Sequence, residues 1–188
     1  MTARWTSAAL VALALLALAP AAHAYRIAGR PWPGPTITYH NTVPAYDHAV
    51  RRAARAWNRA SVGILFRAAS RDDAQVVLVG TQALGVCGGA VRGAGWFGQS
   101  GPGGRYGPQR GVFLAPECPV EGVRRLTVAH ELGHVLGLGH ETRRCALMNP
   151  VHTRGGGTKC SQSPAAVRRR YRRLLEPDDV RGARRLYR

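Results

Sequence analysis

The run His130-Glu131-Leu132-Gly133-His134-Val135-Leu136-Gly137-Leu138-Gly139-His140 concentrates the side chains able to do chemistry. On a helix, His130 and His134 stand four residues apart and project from one face. Two imidazoles so placed can hold one zinc ion at about 2.0–2.1 Å, with Glu131 turned aside from that line and free to act as a base. Gly137 can end the helix by taking positive φ, and the chain can then double back to bring His140 in as a third nitrogen ligand. Three neutral histidines leave the ion's double charge intact and a fourth position open, the donor set of a catalytic centre. Without a metal, three imidazoles in so apolar a segment would lack polar partners.

Other elements must position this run. Thr36–Tyr39 is β-branched and aromatic and reads as a first strand; Ile64–Phe66 is a second. Between them, Tyr46, Val50, Ala53, Ala54 and Trp57 recur at helical spacing, with Arg51, Arg52, Arg55 and Arg59 mostly on the opposite side, so residues 44–60 form an amphipathic helix anchored by Trp57. Val76–Val79 is an apolar run expected of a buried central strand. Gly111–Leu114 is the next strand, and the zinc helix is expected over Val123–Leu136, with Val128, Leu132, Val135 and Leu136 facing away from the histidines. From Gly85 to Gly111 eleven glycines occur, a long loop in which Ala94–Phe97 could be an edge strand. After Met148-Asn149-Pro150 and the glycines at 155–157 comes a basic stretch, Arg168–Arg173. Pro177, Asp178 and Asp179 then open a last helix with Val180, Ala183, Leu186 and Tyr187 as its stripe.

Composition bounds the setting. Arg4, the apolar run Ala8–Ala19 and Ala22-His23-Ala24 read as a signal peptide over residues 1–24, too short for a membrane span. Residues 25–188 then form one domain, exported and acting outside the cell. Four cysteines in an exported chain suggest disulfides. A formal net charge of +17, almost all arginine, favours an anionic surface or cell-wall polymer as a partner, with no module for specific nucleic-acid recognition. A monomer is expected.

Five positions of the zinc motif, with Met148 eight residues after His140, resemble the metzincins, and the spacing is similar to the matrixin branch. The likeness runs from about Thr36 to Tyr187. It implies an α+β, zincin-like fold: a twisted, mostly parallel five-stranded sheet, an active-site helix and a small C-terminal subdomain. It implies a secreted zinc metalloendopeptidase with one catalytic Zn²⁺ on His130, His134 and His140, Glu131 as general base, Met148 in the Met-turn and a protein or peptide as substrate. Substrate would pair with an edge strand within Ala90–Phe97. Asp178 and Asp179 match an acidic pair that in matrixins ties the last helix to the Met-turn and to the N-terminus.

The chain departs from that pattern in places. Glu141 stands where matrixins usually carry serine and is similar to astacins there; Asn149 and His152 stand where matrixins often have tyrosines. No His-x-Asp cluster for a second zinc is present. Ten acidic residues give little support for calcium, which wants six to eight oxygens. Of three connectivities, the expected one joins Cys87 to Cys118 and Cys145 to Cys160, the first closing the segment that lacks the second zinc. Residues 25–35 hold no cysteine, so no cysteine-switch prodomain is expected. The rival reading is a secreted adhesion module that binds anionic surface polymer, with a merely structural zinc. The third histidine and the retained Glu131 weigh against it, because a structural site is closed by four protein ligands.

Overall fold

The structure, a computed structural model, describes residues 25–84, 87, 89–92, 110–150 and 159–188. The expected signal peptide at 1–24, the stretch Ala94–Phe97, His152 and the glycines at 155–157 lie outside the described residues. Seven strands are described: β1 (Arg26–Ile27), β2 (Thr36–Asn41), β3 (Leu65–Ala68), β4 (Val76–Gly80), β5 (Gly89–Arg92), β6 (Arg110–Leu114) and β7 (Leu138–Gly139). The helices are α1 (Asp47–Arg59), α2 (Glu121–Leu136), α3 (Pro164–Arg173) and α4 (Pro177–Tyr187).

Five strands form one sheet in the order β3-β2-β4-β6-β5. The first four run parallel and β5 is antiparallel to β6, giving a mixed α+β fold consistent with a metzincin. Burial follows the sequence pattern. Ile37 and Tyr39 of β2 point inward at period two, whereas Val76, Val77 and Leu78 of β4 are all buried, as a central parallel strand requires. The sheet's edges are β3 and β5, and the β5 edge, Gly89–Arg92, lies upstream of the aromatic pair at 96 and 97.

A single 3-10 turn, Pro44–Tyr46, leads into α1. Its apolar stripe, Ala49, Val50, Ala53, Ala54 and Trp57, is buried, and the Trp57 indole donates to Ala129 O at 3.0 Å, docking α1 against α2. From Thr127 to Leu136 every residue of α2 except His134 is buried, so this helix is the centre of the molecule.

Two elements were not expected. The basic run at 168–173 is the last part of α3, a helix started by Ser163, whose hydroxyl accepts from Ala166 N, and by Pro164 at its first turn. The N-terminal segment forms the short antiparallel ribbon β1-β7 with the chain just past α2. Two disulfides, Cys87–Cys118 and Cys145–Cys160, close segments before and after α2. Each loop closure contributes about 3–4 kcal/mol by restricting the unfolded chain. Among the described residues no helix is long and apolar enough to cross a membrane.

Candidate active site

A helix end leaves its last carbonyls without intrahelical donors. At the end of α2, Gly137 N serves Gly133 O and His134 O, and the carbonyls of Val135, Leu136 and Gly137 find donors from elsewhere in the chain. Trp32 Nε1 donates to Val135 O at 2.7 Å and the Tyr187 hydroxyl to Leu136 O at 2.8 Å. Ala28 N and Gly29 N both donate to Gly137 O, at 2.9 and 3.1 Å. Gly137 has φ 102°, the left-handed conformation that only glycine adopts without strain, and it reverses the chain into β7. Pairing of β7 with β1 then fixes the direction in which His140 leaves the ribbon.

These devices bring His130, His134 and His140 together. One ring nitrogen from each falls within 4.8 Å of the others. His130 Nδ1 donates to Leu147 O and His134 Nδ1 donates to Leu138 O, each at 2.8 Å. With the proton held at Nδ1, the lone pair of each ring sits on Nε2, the atom left for a metal. His134 Nε2 and His140 Nε2 are 3.2 Å apart. Two ligands at 2.0–2.1 Å from a tetrahedral ion would be about 3.3–3.4 Å apart. Burial holds the His134 imidazole below its usual pKa, with His140 adding to the effect; burial and then Arg26 do the same to His140. Neutral imidazoles whose ring nitrogens converge in this way fit a divalent cation; without one, a proton on His140 Nε2 would bridge the pair by donating to His134 Nε2.

Glu131 lies one residue past the first histidine and is 2% exposed. Burial pushes its carboxyl up to about 8, and Oε2 has no hydrogen-bond partner among the described residues. A dication beside it would return the group to its ionised form at neutral pH. Strand β5 passes so close that a Cβ at Gly89 would stand 2.7 Å from Thr127 Cγ2 and 2.8 Å from Glu131 Oε1. Gly89→Ala should therefore displace the carboxylate and reduce kcat by roughly 10–100-fold with the fold retained. Steady-state kinetics beside a thermal melt checks this; unchanged kcat would show that the crowding is harmless.

Below the helix, Met148 packs its thioether so tightly on Gly133 that a Cβ there would collide with Sδ. The turn carrying Met148 is held by Asp179, whose Oδ2 accepts from Leu147 N at 2.9 Å and whose Oδ1 accepts from Met148 N at 3.1 Å. The same Oδ2 accepts from Glu176 N at 2.8 Å, as half of a capping box on α4. A chain of contacts thus runs from α4 through the turn to Leu147 O and on to His130.

The residues where this chain departs from the matrixin pattern have structural work. Glu141 turns its carboxylate onto Arg143 N and Arg144 N, and its own N–H donates to Met148 O. Asn149 donates to Glu141 O at 2.7 Å and Arg144 O at 2.8 Å, so it ties the loop after His140 into one piece. Asp178, which matches the pattern together with Asp179, pairs with Arg181 at 2.9 Å.

A cavity of about 240 Å³ opens beside His130. Val123, Leu126 and Thr127 of α2 form one wall, and Val167, Arg170 and Tyr171 of α3 the other. Tyr171 sits where a side chain at Gly122 would be, which is how α3 docks. Sequence reasoning missed this wall. Ser163-Pro164 was the available signal, since serine before proline is a common helix start.

Residues 120–188 match the family model for matrixin. This is a matrixin-like metzincin zinc site. Its chemistry is that of a zinc metalloendopeptidase, for which the three-histidine group supplies the metal ligands. The match covers α2 with all three histidines, the Met148 turn, α3 and α4. No curated protein matches the chain.

Proposed function

We propose that the chain is an exported endopeptidase in which Glu131 is the general base and the cavity beside His130 receives one side chain of the substrate. The observation that carries this reading is the convergence of three imidazole nitrogens one residue from a buried carboxylate with an unpartnered oxygen. A zinc ion held by His130, His134 and His140 would polarise the scissile carbonyl and acidify a water molecule. Glu131 accepts a proton from the attacking water and delivers it to the departing amine. The hydrogen bonds from His130 to Leu147 O and from His134 to Leu138 O keep both rings oriented and in one tautomer. The two disulfides and the expected signal peptide support export.

Hydrolysis of casein or gelatin should vanish on addition of a chelator and return with zinc, and metal analysis should find one zinc per chain. A protein that binds zinc and cleaves no protein would support the adhesion reading instead.

Arg170 gives the cavity a charged end. No carboxylate among the described residues pairs with it, while Val123, Leu126 and Val167 give apolar sides. Peptides presenting Glu to this cavity should be cleaved faster than peptides presenting Lys. Arg170→Leu should shrink that ratio by about 10-fold or more, the scale on which a pocket contact discriminates. A ratio unchanged by the substitution would remove Arg170 from the pocket's selectivity.

A further inference from the structure

Six of the arginines that the histidine site leaves unused are gathered in one region. On α1, Arg52 and Arg59 stand seven residues apart on one face, two turns or about 10 Å along the helix. With Arg172 and Arg173 at the end of α3 they line a groove of about 360 Å³. The same groove is floored by Ala56, Leu175 and Val180. Arg172 and Arg173 also line a second groove, of about 410 Å³, together with Arg168 and Arg169. The two grooves are therefore adjacent, with Arg172 and Arg173 common to both, and together they make a track.

Charge in this track is almost all of one sign. Glu176 is its one carboxylate, 3.8 Å from Arg173. Among the described residues no carboxylate pairs with Arg52, Arg168, Arg169 or Arg172. All four are at least partly open to solvent. Crowded guanidinium groups repel one another, and a polyanion laid along them relieves that repulsion and releases its own condensed counter-ions. The track shares no lining residue with the cavity beside His130.

We propose that this track docks a linear acidic polysaccharide. Its planar guanidinium forks match carboxylate and sulfate groups, which they can hold through two parallel hydrogen bonds. Its apolar floor lies where sugar rings would rest between charges. Among the described residues no aromatic side chain lines either groove, so the track lacks the stacking platforms on which the bases of single-stranded nucleic acid are held. An open track fits a repeating polymer better than a single small anion, which would need enclosure.

The test uses the full chain with heparin as a sulfated probe and polygalacturonate as a carboxylated one, each titrated over a salt series. Arg52→Gln with Arg172→Gln should weaken binding about 10-fold and lower the slope of log K against log salt by about 1.5. Arg168→Gln with Arg169→Gln should do the same from the other end. Arg30→Gln with Arg67→Gln removes the same charge from exposed sites elsewhere and should change affinity less than about 2-fold. Equal losses in all three pairs would overturn the proposal in favour of diffuse charge. Duplex DNA or an acidic polypeptide that binds more tightly through the same four arginines would overturn the choice of polymer. Wild-type melting temperature and chelator-sensitive peptide hydrolysis in each variant show that a loss of binding is not a loss of fold. Because the track and the histidine site share no residue, either can fail without the other.

Discussion

Replacing Glu131 with glutamine should lower kcat/KM by roughly 10²–10⁴-fold, the range over which a positioned base contributes, while the protein should still bind one zinc. The glutamine has nearly the same volume and keeps the packing under β5, where Gly89 leaves no spare room. The proposed ligands are His130, His134 and His140, so the metal should stay, whereas His134→Ala should lose zinc and activity together. Metal analysis of the two purified variants separates base from ligand. Substantial turnover by the glutamine variant would remove Glu131 from the mechanism. The same variant reads the buried carboxyl in metal-free protein. Burial raises that group from 4.5 to about 8, so the folded chain holds its proton more tightly than the unfolded chain does. The resulting stability is fully present below pH 4.5 and is lost as pH rises through about 8. Glutamine suffers no such loss. In chelator, its advantage over the wild type should therefore grow by roughly 3 kcal/mol between about pH 5 and pH 8. Parallel melts with a constant difference across that range would show that the carboxyl is not desolvated as the structure has it.

Asp179→Ala should cost about 3–5 kcal/mol, because it strands the N–H groups of Leu147, Met148 and Glu176 in a buried region. That is a large part of the roughly 5–15 kcal/mol that holds a domain together. The effect should also reach the metal. Leu147 O orients His130, so loosening the turn lowers zinc affinity by about 10–100-fold, the usual cost of losing a partner behind a ligand. Asp179→Asn, which keeps one accepting oxygen, should fall between the two proteins in both denaturant midpoint and zinc affinity. Full zinc affinity in a folded Asp179→Ala protein would break the proposed line from α4 to His130.

Much of this was legible because it is local. Apolar spacing marked α1 with Trp57 and the central strand β4. Pro177 with Asp178 and Asp179 marked the start of α4, because cap chemistry acts within one turn. The helical repeat places His130 and His134 on one face whatever the rest of the chain does, and Gly137 is the residue type that a reversal at that point requires. Periodicity was weakest where charge hid it. In α3 the six residues at 168–173 include five arginines, whose long stems cover a helix surface that a hydrophobic count does not register.

What the sequence by itself determined is the chemistry: three imidazoles at ligand spacing, a carboxylate between the first two, and a methionine turn after the third. What only the tertiary structure decided is how these are held. Trp32, Tyr187 and the backbone at Ala28 and Gly29 close the end of α2 from positions about 100 residues before it and 50 after it in the chain. The ribbon β1-β7 aims His140, and Asp179 fastens the turn behind His130. The arginine track is of the same kind, since Arg52 and Arg172 line one groove only because α1 and α3 both pack against α2. Spacing along a chain fixes neighbours within a turn or two of helix. Contacts between distant segments depend on which buried surfaces fit and which orphaned carbonyls find donors, and no local pattern carries that information.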